Sequence, residues 1–161
     1  MDSIKPKRHL KSRSGKWKSI QDDCLQAMSA QKLFLGDGRL GDLEKISSEF
    51  LEILPDLNIG RNTGEFFPYN FGPELPDDQS VDDQKSLCFD GQILENGKSI
   101  IGAPVCNFNI SVDKPLTQLA IRLCDLRPDG TSALISHGFL NLTMAESFEV
   151  PKRLEIEKRI N

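Results

Sequence analysis

Enzymatic chemistry needs a nucleophile, a base or a side-chain-held metal, and this sequence offers few of each. Only two histidines occur, His9 and His137. His9 lies among lysines and arginines. His137 lies in an apolar stretch beside Ser136, whose side chain on a strand points to the opposite face. The two therefore make no nucleophile and base pair, and His137 reads as a packed or edge-exposed ring. There is no G-x-S-x-G elbow, H-E-x-x-H, C-x-x-C pair or phosphate-cradling glycine loop. Cys24, Cys88, Cys106 and Cys124 fall at no metal-ligand spacing. The last three sit in apolar runs, so they read as buried thiols in a reducing compartment. Asp77, Asp78, Asp82 and Asp83 are the oxygen donors that calcium takes, but their spacing is not that of an EF-hand, and they read as a solvated acidic loop. On this reading no residue is catalytic, cofactor-binding or metal-ligating, and no cofactor is implied.

Arg122 is the charge that asks for an explanation. It stands mid-run in Leu116–Leu126, where Leu119, Ile121 and Leu123 alternate with Ala120, Cys124 and Leu126, the pattern of a strand buried on both faces. A guanidinium stays charged and must find a carboxylate or several carbonyls. Asp113, Asp125 and Asp129 are the near candidates, and pairing with one of them is expected to fix the register of the strands. Two sequons, Asn109-Ile110-Ser111 and Asn141-Leu142-Thr143, fall in expected strands and are discounted as glycosylation sites.

The elements that would position these residues form a β-meander from Gly102 to Thr143. Its turns are Asp113-Lys114-Pro115 and Arg127-Pro128-Asp129-Gly130. Cys106–Val112 alternates as a half-exposed strand, Leu116–Leu126 follows, and Ala133–Leu142 returns with Gly138 marking a bulge or a close backbone approach. Upstream, Lys32–Leu40 reads as a short strand into a Gly-Asp-Gly turn. The region from Gly41 to Asp56 fits helix and strand equally, and Pro55 ends it. Gly60–Asp83 is expected to be extended and irregular, pinned by Phe66, Phe67, Tyr69 and Phe71, and Ser86–Phe89 is a short strand candidate.

With 161 residues, 38% of them apolar, the chain has room for one domain and a loose arm. A net charge of −4 argues against a general nucleic-acid surface. Its distribution is uneven: the arm is basic from Lys5 to Lys18, while Glu74 to Asp90 holds six carboxylates against Lys85 alone. No apolar run approaches the ~18 residues of a membrane span, so no membrane contact and a cytoplasmic location are expected.

The run from Asp82 to Thr143 resembles the C-terminal domain of X-Pro dipeptidyl-peptidases and cocaine-esterase-type (CocE/NonD) hydrolases. Asp82, Asp83, Ser86, Leu87 and Phe89 match a D-D-x-x-S-L-x-F element. Gly102 and Pro104, then Asp113 and Pro115, follow in order. After them come Arg122 to Asp125, Pro128-Asp129-Gly130, and Gly138 with Leu140 to Thr143. The resemblance implies an all-β fold, an antiparallel β-sandwich of jelly-roll, galactose-binding-like type, incomplete at its C-terminus. Residues 1–31 form a basic arm and 32–161 the partial domain. It also implies a non-catalytic module that packs on the α/β-hydrolase catalytic domain of a serine hydrolase, in cis or on another chain, and helps wall its active site. The catalytic triad of such enzymes lies upstream of this module, so no catalytic residue carries over. Arg122, Asp125, Pro128, Asp129, Gly130 and Asn141 are then the structural motif. Unpaired strand edges make self-association a further expectation. The alternatives are a free-standing carbohydrate- or ligand-binding jelly-roll, with Phe66, Phe67 and Tyr69 as stacking groups, and the remnant of a truncated gene.

Overall fold

A computed structural model describes residues 29–42, 50–54, 56–64, 75–98 and 100–156. The basic arm up to residue 28, the aromatic cluster Phe66, Phe67, Tyr69 and Phe71, and most of the helix-or-strand region after Gly41 lie outside these residues; Phe50–Leu54 is neither helix nor strand. Regular structure among the described residues is almost entirely strand: two antiparallel two-stranded sheets and one helix of 4 residues. The chain divides into two units, one of residues 1–54 and 87–93, the other of 55–86 and 94–161.

In the first unit β1 (Phe34–Gly36) and β2 (Arg39–Gly41) form a hairpin, with Leu35 opposite Leu40. Asp37 and Gly38 both sit at positive φ, 49° and 70°. A two-residue loop with both centres left-handed matches the right-handed twist of its strands, and an Asp-Gly pair supplies it at little cost. Asp90 lies parallel beside β2 at a single bridge, its N–H donating to Gly38 O (2.9 Å) and its carbonyl accepting from Leu40 N (2.8 Å). The expected strand at Ser86–Phe89 is not formed. Ser86 is drawn into the turn after the helix by its N–H bond to Asp83 O (3.1 Å), and Leu87 and Cys88 are exposed.

In the second unit the long elements are β3 (Gln118–Leu126) and β4 (Ser132–Asn141), paired along their whole length. Arg127 N donates to Thr131 O and Gly130 N to Arg127 O, both at 2.9 Å, so the five-residue loop holds a turn with Pro128 at its second position and Gly130 at its fourth. Gly130 has φ 85°. Asp129 Oδ1 accepts from Thr131 N at 3.0 Å, and Asp125 lies 3.8 Å from Arg127. At the far end Asn141 Oδ1 accepts from Thr143 N (3.1 Å) and Thr143 Oγ1 (2.9 Å), capping a 3-10 turn at Leu142–Met144.

The ladder breaks its register once. Leu123 faces Ser136 but Cys124 faces Leu134, so the extra residue is Ile135. The bulge is therefore at Ile135 and not at Gly138, which pairs regularly with Ile121 and has open space where a Cβ would stand. By plain alternation Ser132 and Leu134 would share a face with Ser136, Gly138 and Leu140. The bulge resets the count and turns them to the face of Arg122 and Cys124. There they are buried, Ser132 at 1% and Leu134 at 9% exposure.

Cys106–Val112 keeps part of the expected alternation without becoming a strand. Val112 is buried, Phe108 and Ile110 are half-buried, and Asn107, Asn109 and Ser111 are exposed, while Ile110 alone makes a bridge. Nor is β3 buried on both faces: Ala120 is exposed and Leu126 is 63% exposed. The described apolar core is small, consisting of Val112, Leu134 and Leu142.

Candidate functional site

Among the described residues the most built site is polar and centres on Arg122. A short helix α1 (Ser80–Asp83) lies in the segment Asp77–Ser86, within the stretch expected to be irregular throughout. This segment docks on the hairpin at two places. Asp78 bridges Ala133 on the outer edge of β4, where Gln79 N donates to Ser132 O (2.8 Å) and Ser132 N to Asp78 Oδ1 (2.9 Å). The backbone groups of a strand edge need partners, and here the acidic segment provides them.

The second docking point is the guanidinium. Arg122 Nη1 donates to Gln79 Oε1 (3.0 Å) and lies 3.4 Å from Asp82 Oδ2. Nη2 donates to Asp83 Oδ1 and Ser86 Oγ, both at 3.0 Å. Arg122 and Asp82 side chains are only 12% and 6% exposed. Asp82 Oδ2 also accepts from Gly60 N at 2.7 Å, and Ser86 Oγ donates to Asp82 O at 2.8 Å. Gln79, wholly buried, donates through Nε2 to Asn62 O (2.6 Å) and Asp77 O (2.8 Å). No buried side-chain nitrogen or oxygen among the described residues lacks a partner. A buried charge is tolerated on those terms.

The expected partners of Arg122 are thus replaced. Asp113 binds Lys114, Asp125 faces Arg127, and Asp129 serves its own turn. Local distance in sequence favoured them. The partners actually used lie about forty residues upstream, and the signal that could have found them was the D-D-x-x-S element itself. The acidic loop is likewise not solvated throughout, since Asp82 is buried and Asp78 half-buried. Backbone N–H groups of Ser132 and Ser80 hold the Asp78 carboxyl below its ordinary value. The bond from Thr131 N lowers Asp129 in the same way. Lys85 and then Asn58 bring Asp56 from 3.8 down to about 2.

Nothing in this arrangement is poised for catalysis, because every acceptor facing Arg122 is already engaged and the guanidinium is spent on the fold. His137 is exposed on β4 and meets the Phe139 ring edge-on at 5.3 Å. Cys88 and Cys106 are exposed, against expectation, and among the described cysteines only Cys124 is partly covered, burial raising its thiol; Cys24 lies outside the described residues. Among the described residues no cluster of His, Cys, Asp and Glu could hold a metal, and no helix is long and apolar enough to cross a membrane.

A family model described as the X-Pro dipeptidyl-peptidase C-terminal non-catalytic domain matches residues 6–158. Comparison with curated proteins and with solved structures finds no match.

Proposed function

The chain belongs to the family of X-Pro dipeptidyl-peptidase C-terminal non-catalytic domains, and from that premise we propose that it is the accessory β-domain of a serine hydrolase. The parent activity is dipeptidyl-peptidase or related ester or amide cleavage. The chain packs on the α/β-hydrolase catalytic domain, in cis or on a separate chain, and shapes the region around its active site. The finer fold belongs to the same proposal: the β3–β4 hairpin is part of a jelly-roll of galactose-binding-like type in residues 32–161.

The observation that supports this reading is the contrast between a fully satisfied polar knot and an unsatisfied apolar surface. Leu126 and Phe139, 63% and 67% exposed, stand toward opposite ends of the hairpin face that carries Arg122, on either side of its buried middle. An exposed aromatic ring such as Phe139 is the kind of side chain that the core of an interface covers. The purified chain is expected to release no product from an Xaa-Pro anilide or an aryl ester above buffer. Turnover sensitive to a serine-directed inhibitor would overturn the non-catalytic role.

A further inference from the structure

We propose that Asn96-Gly97 is a site of covalent modification, at which the asparagine deamidates spontaneously and the backbone isomerises to isoaspartate. The pair is the single Asn-Gly dipeptide of the sequence. It lies in a stretch from Gly91 to Lys98 in which every residue is exposed and none is in a helix or strand. No hydrogen bond holds Asn96 or Gly97 among the described residues, and a Cβ at Gly97 would meet nothing within 4 Å.

The reaction needs the Gly97 backbone nitrogen to reach the Asn96 side-chain carbonyl carbon. Glycine places no Cβ in the way and lets the backbone rotate freely. After loss of its proton the nitrogen attacks Cγ, an N–C bond forms, the Cγ–Nδ2 bond breaks and ammonia leaves, giving a cyclic imide. Water then opens the imide at either carbonyl. One product has aspartate at this position. The other runs the backbone through the former side chain, one methylene longer. Both carry an added negative charge next to Glu95, and asparagine is among the residues that limit chemical durability for this reason.

The Asp-Gly pairs, which can form the same cyclic imide, lack this freedom. Gly130 N is bonded to Arg127 O, and the Asp129 carboxylate is held by Thr131 N. Asp37-Gly38 is locked in its left-handed hairpin turn, and Asp90 is bonded through both backbone groups before Gly91. Asn58, Asn62, Asn70, Asn107, Asn109 and Asn141 are followed by Ile, Thr, Phe or Leu, whose side chains crowd the attacking nitrogen.

The test is to incubate the intact chain at mildly alkaline pH and physiological temperature, then combine peptide mapping with methyl transfer by an isoaspartyl methyltransferase. Methyl acceptance should grow with time and map to the peptide holding Asn96. It should vanish in Asn96→Gln and fall several-fold in Gly97→Val, both exposed-loop changes. An Asn96 peptide that stays amidated while other asparagines react, or methyl acceptance equal in Asn96→Gln, would overturn the assignment.

Discussion

Arg122 shows how one side chain can be structural and still look functional. Its four donor contacts close the acidic segment onto the hairpin, and its removal strands a buried Asp82 and Gln79. Breaking one partner of a buried ionic network costs about 3–5 kcal/mol. Arg122→Met should therefore lower the urea midpoint by a large fraction of its value, while an unchanged midpoint would show that the knot contributes nothing. Lysine is no substitute, since a point charge cannot reach Gln79, Asp83 and Ser86 together. Asp78 gives the pH dependence. Its folded value is depressed, so the stability it contributes is present above the unfolded value of about 3.9 and is lost as pH falls through the folded value. Asp56 adds a loss spread between 3.8 and about 2. Thermal stability should stay level from neutral pH down to about 4 and then decline, and Asp78→Asn should flatten that decline; an unaltered acid profile would contradict the role of the Ser132 and Ser80 N–H groups.

At the scale of elements, what could be read from sequence was what local chemistry encodes. The Asp37-Gly38 and Pro128-Asp129-Gly130 turns are both present because their residues dictate backbone angles directly. The two long strands are present because their apolar runs meet at the Pro128-Asp129-Gly130 turn. The bulge at Ile135 was not readable: it accompanies the docking of Ser132 on a segment about fifty residues away, and no local residue announces that. Gly138, the residue that resembled a bulge signal, carries no special geometry. The two glycines should separate in a mutational test. Gly130→Ala keeps φ 85° in the left-handed region and should cost about 1–2 kcal/mol. Gly138→Ala meets open space and should be neutral or stabilising by up to about 1 kcal/mol. Equal denaturation midpoints for the two variants would refute this placement of strain. The partners of Arg122 failed to emerge for a related reason, since long-range pairing leaves no periodicity in either segment.

For the molecule as a whole, family membership and the exposed surface meet in one expectation. The described residues bury Val112, Leu134 and Leu142 and leave Phe139 in the open on the hairpin that carries the polar knot, and the proposed reading takes the surface around Phe139 as the one a catalytic domain covers. Replacing Phe139 with aspartate should leave the fold intact, because the ring is 67% exposed, yet should weaken any complex made through that face. The most direct measurement is co-purification of the full chain with a catalytic domain of an X-Pro dipeptidyl-peptidase that lacks its own C-terminal domain, followed by a binding titration of the wild-type chain and Phe139→Asp. The account predicts a stoichiometric complex that the substitution weakens at least tenfold, about 1.4 kcal/mol. A chain that elutes alone, or that binds equally well with Phe139→Asp, would contradict it.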